Sequence, residues 1–292
     1  MQIFDAYKSL EPIATIMKDK KIIYMEGENS SMVISDKRKV NFDKFKIVAR
    51  GYLNGQRENR WNNNTQAMDF YLFDIWYVNR LPSDGAGVYL YTPDRGESIK
   101  LYNGTAIEVI DDKIIRTIKI TEEVQLAIPK NGYIIYYGNS IADDNYINAR
   151  FKPGRTIELE YKVIHSIEEN KPNTVLDLNK IEGIISAGPY LVKEGKIIAN
   201  AENEGFKEDK ITKNKAQRSA IGVTKDNKLL MVTCSNASIN ELAQIMLNLG
   251  AVEAINLDGG ASSALFAKDK LITPPGRKLS TVLMIYDNSI QN

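Results

Sequence analysis

Between Phe70 and Val163 the sequence comes in short runs rich in isoleucine, valine and tyrosine, each closed by glycine, proline, asparagine or aspartate. The runs are GVYLYT (87–92), AIEVI (106–110), KIIRTIKI (113–120), GYIIYYG (132–138) and RTIELEYKV (155–163). Branched and aromatic side chains suit a pleated, half-buried surface. Turn residues at such short intervals leave no room for the crossover helices that parallel strands need. This stretch therefore predicts an antiparallel meander or barrel-like block and argues against a parallel βαβ array.

The pattern changes on either side. Residues 183–198, GIISAGPYLVKEGKII, read as a strand, a Gly-Pro turn and a hairpin. RSAIGVTKDNKLLMVTC (218–234) is a hairpin about its Lys-Asp-Asn-Lys turn. Ser238 to Gly250 is the best helix, with apolar Ile239, Leu242, Ala243, Ile245, Met246 and Leu249 at helical spacing. Ser238 with Glu241 forms a capping box, and Gly250 stops the helix. A buried strand from Val252 to Leu257 follows, and LSTVLMIYD (279–287) reads as a last core strand.

At the front, Phe4 to Met17 has an amphipathic helical pattern interrupted by Pro12. Lys20–Met25 and Ser30–Ser35 read as strands, and Phe45–Ala49 as a short strand running into a turn over Arg50 to Gly55. The Asn-rich segment 56–66 carries Trp61 and reads as an exposed loop suited to binding. The expected class is α+β: largely antiparallel or mixed sheet, few helices, and one helix-to-strand unit near the C-terminus. The expected division is an N-terminal elaboration over 1–44, packed on a main domain over 45–292.

Composition narrows the function. The chain has 292 residues, long enough to bury a core without a disulfide or metal staple. Its 38 Lys+Arg against 37 Asp+Glu leave no basic stripe for a nucleic-acid duplex. No apolar run reaches the roughly 18 residues of a membrane span, and the first residues lack the unbroken apolar stretch of a signal peptide. The chain as given is thus expected to be soluble; cytoplasmic, phage-borne and leader-trimmed secreted origins all fit. The single Cys234 excludes an internal disulfide and a Cys-rich zinc site. The single His165 excludes Ser-His-Asp triads and HExxH sites. Catalysis must rest on carboxylates, arginine, lysine, hydroxyls, tyrosine and backbone amides.

The window 241–266, ELAQIMLNLGAVEAINLDGGASSALF, is the most informative. Its strand delivers Asn256 and Asp258, whose side chains share a face because side chains alternate along a strand. Gly259 and Gly260 then allow backbone amides to approach a ligand closely, and Ser262 and Ser263 add hydroxyls. A carboxylate beside amides and hydroxyls suits a phosphate-bearing, polyhydroxylated ligand. A tight Asp-Gly turn capped by its own side chain would read the same way.

AINLDGGASSALF resembles the A-x-N-L-D-G-G-G-S-S/T signature of the phosphodiester glycosidase family. RSAIGVTKDNKLLMV resembles that family's R-T-A-I-G hairpin, and ISAGPYLVKEGKI its G-G-P-x-L-V-x-x-G-K segment. ELAQIMLNLGA matches the helix before the signature. With the β-rich half upstream, the resemblance runs in order from about residue 45 to 287. It implies a sugar-phosphodiester or glycan ligand and hydrolysis of the bond between the sugar's anomeric carbon and the phosphate oxygen.

Arg218 stands at the motif arginine and, by the resemblance, would hold a phosphate through its two-pronged guanidinium. Asp258 stands at the signature aspartate, with Gly259, Gly260, Ser262 and Ser263 lining the same turn. Gly188 and Pro189 fill the G-G-P turn. Glu241 matches the helix glutamate as a second carboxylate, a position the capping box explains equally well. Arg50 and Asn54 lie where the family's N-G-G-Y-F motif appears as Ala49-Arg50-Gly51-Tyr52-Leu53, and are read as further ligand contacts. The third signature glycine is Ala261, Ser219 replaces the motif threonine, and the D-G-R loop is reduced to Cys234-Ser235-Asn236. Two other readings follow from these departures: a non-catalytic sugar-phosphate or cell-wall-polymer binder, and a phosphodiesterase acting at phosphorus. No cofactor is required; a divalent ion at Asp258 has only one carboxylate in sequence to support it. The oligomeric state is not legible.

Overall fold

In the computed structural model, which describes residues 11–12, 14–82, 86–165, 175–279 and 281–286, the chain is mostly β-sheet. Three helices occur among the described residues, Asp144–Arg150, Asp209–Thr212 and Ile239–Asn248. The residues group into two compact units. One comprises Thr15–Glu28 and Phe45–Gly183, the other Asn29–Lys44 and Ile184 onward, with the first residues up to Ala14. The division interleaves along the sequence and does not fall at residue 44 alone.

In the first unit the fifth of the Ile/Val/Tyr runs, within Ile157–His165, pairs antiparallel with residues 45–53 in a separate sheet, while the other four form the expected sheet. Its order is Lys113–Ile120, Gly104–Ile110, Gly132–Gly138, Val88–Tyr91, Tyr77–Val78. All pairings are antiparallel except the last, which is parallel. All four residues of Val88–Tyr91 are buried, which explains why this run is continuously apolar rather than alternating. Tyr89, Tyr91, Leu101, Ile134 and Tyr136 fill the core beneath it.

The second unit is built on five antiparallel strands ordered Lys196–Ile197, Tyr190–Lys193, Ala251–Leu257, Ala216–Thr224, Leu229–Ala237. Alternation assigns its central residues to two cores. Ala220 and Ala254 pack with Ile239, Leu242, Ala243 and Met246 of the helix. Ile221 and Ile255 pack with Met32, Phe42, Ala187 and Tyr190. Small residues lie under the helix because its side chains come close: a Cβ on Gly222 would sit 2.8 Å from the Met246 methyl carbon. The helix has the expected capping box, Ser238 Oγ accepting from Glu241 N and Glu241 Oε2 accepting from Ser238 N.

Four sequence expectations are corrected. Within the expected helix 4–17, the described residues Glu11, Pro12 and Ala14–Met17 are not helical, and Ile16–Lys18 is a strand; Pro12 and the β-branched Thr15 and Ile16 favour extended chain. Residues 4–10 and 13 lie outside the described residues. The strand of Phe45–Ala49 starts at Val40 and runs on to Leu53, because Gly51 pairs inside the ladder with both Leu159 and Phe73. The turn is confined to Asn54 and Gly55, with φ of 52° and 65°. The loop 56–66 contains half of a small hairpin, Arg60–Asn62 against Ala67–Asp69, that leaves Trp61 exposed. Leu279 and Thr281–Tyr286 form no strand. There Val282, Met284, Ile285 and Tyr286 are exposed, since apolar content supplies no ladder partner. Ser280 and Asp287 lie outside the described residues.

Candidate functional site

The site grows from the end of the buried strand Ala251–Leu257 in the second unit. Asp258 follows its last residue, and Gly259 can turn there because it has no side chain: a Cβ would meet the Gln217 carbonyl oxygen at 2.6 Å. Gly260 has φ of +57° and opens a single 3-10 turn, Gly260–Ser262. Within the turn, Gly259 N donates to Asp258 Oδ1 (3.0 Å), Ser262 N to Gly259 O (3.1 Å) and Ser263 N to Gly260 O (3.0 Å). The amides of Gly260 and Ala261 are not used within the turn.

A second loop closes on this turn. Gly276 N donates to Ala261 O at 2.9 Å, and a Cβ on Gly276 would lie 3.0 Å from the Ala261 methyl. That approach delivers Arg277. Its Nε donates to Ser262 Oγ at 2.8 Å, and one terminal nitrogen reaches both Ser262 Oγ and Asp258 Oδ2, the latter at 3.2 Å. Asp258 and Arg277 remain partly open, at 23% and 32% side-chain exposure, so both can meet a ligand. Ser262 and Ser263 are buried. Ser263 Oγ accepts from Ser219 Oγ at 3.0 Å, so each of these two serines keeps its own hydroxyl hydrogen for another acceptor.

Asn256 is buried on the strand. Its Nδ2 donates to Gly188 O at 2.8 Å, while its Oδ1 has no hydrogen-bond partner among the described residues. Gly188 N donates to Asn256 O and Asn256 N to Pro189 O, which ties the Gly-Pro turn to the strand end. Beside Gly188 stands Glu204, half-buried, which accepts from Tyr190 N (2.7 Å) and Ser30 Oγ (2.6 Å).

The side chains of the remaining expected residues are engaged with other partners. Arg218 is buried, and its guanidinium is committed to backbone: Nε donates to Ala237 O, and a terminal nitrogen to Lys210 O and Asn214 O. Burial lowers its pKa from the usual arginine value. The arginine that reaches the Asp258 turn is instead Arg277. Glu241 keeps both carboxylate oxygens in the helix cap and in an ion pair with Lys215. The Lys215 ammonium, then the Ser238 amide, holds its pKa below the usual carboxylate value. Arg50 and Asn54 belong to the first unit. Arg50 pairs with Asp74, and Asn54 Oδ1 accepts from Thr156 N in its turn. Cys234–Asn236 lie inside the strand Leu229–Ala237 rather than in a loop.

Sequence reasoning missed Arg277 and Glu204. The signal for Arg277 was the Pro-Pro-Gly run before it, a turn that presents the next side chain on a loop. Among the described residues no cluster of three His, Cys, Asp or Glu could hold a metal ion, and no helix is long and apolar enough to cross a membrane.

The turn thus brings together one carboxylate, two amides unused within it, two serine hydroxyls and an arginine. Residues 104–286 match the model of the phosphodiester glycosidase family. The chain belongs to that family. A hypothetical protein from Synechocystis superposes with a TM-score of 0.74 at 21% identity, over 94% of this chain and 48% of that one. A protein from Burkholderia pseudomallei K96243 superposes with a TM-score of 0.66 at 15% identity, over 93% and 60%. At these identities the likeness is one of fold, and the chain spans about half to three-fifths of their lengths. The catalytic domain of zebrafish N-acetylglucosamine-1-phosphodiester alpha-N-acetylglucosaminidase, auto-inhibited by its pro-peptide, gives a TM-score of 0.28 at 14% identity, over 90% and 81%. No curated protein matches the chain.

Proposed function

We propose that the protein hydrolyses a sugar-1-phosphodiester at the Asp258 turn, breaking the bond between the anomeric carbon and the bridging oxygen. The observation that carries this reading is the placement of Asp258 against Arg277, Ser262 and the unused Gly260 and Ala261 amides. The leaving phosphate ester is already a stable anion, so it needs charge stabilisation more than a strong acid. Arg277, the two amides and the hydroxyls of Ser262 and Ser263 supply that as the anion separates. The sugar carbon passes through an oxocarbenium-like state. Asp258 faces that positive charge and takes the proton of the water that adds to the carbon. The sugar leaves with the water oxygen, and the phosphate stays on the aglycone.

Reaction in 18O-labelled water with a panel of sugar-1-phosphodiesters, nucleotide sugars and cyclic dinucleotides tests this directly. The expected result is label in the released sugar, an unlabelled phosphomonoester, and no product from Asp258→Asn. Label in the phosphate would move the chemistry to phosphorus. Ligand-induced stabilisation without product would make the protein a sugar-phosphate binder.

A further inference from the structure

The Asp258 turn is rich in hydrogen-bond donors, whereas the neighbouring ground around Gly188 is rich in acceptors. Asn256 Oδ1 is buried and has no partner among the described residues. The Gly188 carbonyl takes the other end of the same amide. The Glu204 carboxylate faces the bare Cα of Gly188: a Cβ there would lie 3.4 Å from Glu204 Oε2 and 3.3 Å from the Phe206 ring. Glu204 accepts two hydrogen bonds, from Tyr190 N and Ser30 Oγ. A carboxylate offers about four lone-pair directions, so capacity remains. An acceptor left unpaired in a buried position costs free energy unless a ligand donates to it. The part of a ligand that complements this ground carries O–H or N–H groups and no negative charge.

We infer that Glu204 and Asn256 form the subsite that grips the hydroxyl or acylamino groups of the sugar ring, next to the phosphate held at the Asp258 turn. This rests on the reading of the Asp258 turn given above. Asn256 and Asp258 are two residues apart at the strand end, a separation of at most roughly 7 Å. That is the scale of one pyranose ring with its anomeric oxygen, so one ligand spans both ends. The sugar's donors meet Glu204 and Asn256 Oδ1, and its phosphate meets Arg277, Ser262 and Ser263. Glu204, rather than the helix-capping Glu241, is then the second carboxylate that touches substrate.

Amide chemical-shift titrations separate this inference from the reading it rests on, since they need no turnover. The probes are inorganic phosphate, a methyl hexoside and a methyl glycoside of an N-acetylated aminohexose. The sugars are expected to shift the Tyr190 amide, which Glu204 holds, and phosphate the Gly260 and Ala261 amides. Glu204→Gln, close to isosteric, should weaken sugar binding about tenfold, one charge-assisted hydrogen bond's worth, and leave phosphate binding unchanged. Ser30→Ala keeps the fold's backbone contacts and should weaken sugar binding by less. Arg277→Met should do the reverse of Glu204→Gln. Sugars that give no shift at Tyr190, or that bind Glu204→Gln as they bind wild type, overturn the subsite while phosphate still depends on Arg277. Phosphate binding that ignores Arg277→Met overturns the reading of the Asp258 turn instead.

Discussion

In the proposed site the arginine beside Asp258 is delivered by a loop. Arg277 uses its planar fork to hold Ser262 and Asp258 together, and a lysine cannot reproduce that geometry. Arg277→Lys is expected to lower kcat/KM about 10²–10³-fold, the range for losing one pre-aligned donor at a developing anion, with little change in the unfolding midpoint. A steady-state assay beside a urea titration checks both, and a kcat/KM within threefold of wild type would refute the role. The two glycines of the same turn should behave differently for separable reasons. In Gly259→Ala the new methyl meets the Gln217 carbonyl oxygen, which is backbone and cannot swing away, so a loss of about 1–3 kcal/mol is expected. In Gly260→Ala the space is open, and the left-handed φ of +57° costs about 1 kcal/mol. Chemical denaturation of both variants measures the difference, and equal losses would contradict the steric account. None of the contacts made by Arg277 and Glu204 was legible in the sequence. Their partners lie on other segments, Ser262 and Asp258 for one, Tyr190 and Ser30 for the other. Asp258, Asn256 and the serines were legible because one strand and one turn bring them together.

Elements whose signals are local came through the sequence well. The helix Ile239–Asn248 is bounded by its own capping box, and the hairpin of 216–237 by its own turn. Where the deciding partner is distant, the reading failed. Gly51 looks like a turn until the strands on both sides pair with it, and the apolar segment after Leu279 looks like a strand, yet its described residues join no ladder. The helix cap makes a prediction that separates structure from catalysis. Ser238→Ala should cost about 1 kcal/mol, and Glu241→Gln should leave kcat/KM at the wild-type level because its carboxylate serves the cap and Lys215. A large activity loss in Glu241→Gln, with folding intact, would restore that residue to the mechanism. The hairpin turn carries a pH signature. Asp226 accepts from Lys228 first and Thr224 second, which pushes its pKa down to about 2. A carboxylate depressed in the folded state adds stability above its unfolded value near 4 and loses it as pH falls through the folded value. The pair is fully exposed, so its effect is small and screened by salt. A carboxyl 13C titration of Asp226 should show a midpoint near 2 in low salt, moving upward in about 1 M salt; a midpoint at the ordinary aspartate value would dismiss the contact.

At the scale of the molecule, the sequence order of the two units has a consequence for what can fold alone. The sheet bearing the Asp258 turn lies wholly after Ile184, yet its core also needs residues 29–44. Met32 and Phe42, at 1% and 7% exposure, pack with Tyr190, Ile221 and Ile255 on the sheet face opposite the helix. The family signature, concentrated in the last third of the chain, thus shares its core with residues 29–44. Removing one large buried side chain typically costs about 2–5 kcal/mol, and a domain has only about 5–15 kcal/mol in total. A fragment of residues 184–292 loses two such side chains at once, together with Ser30, which donates to Glu204, and Ser31, which hydrogen-bonds Ser186 at 2.7 Å. It is therefore expected to show native-like far-ultraviolet circular dichroism without near-ultraviolet signal or dispersed amide resonances. Joining residues 29–44 to its N-terminus through a flexible Gly/Ser linker should restore dispersion, because the strand can then return to its place in the core. A well-dispersed spectrum from 184–292 alone would mean that Met32 and Phe42 cover a core already able to close without them.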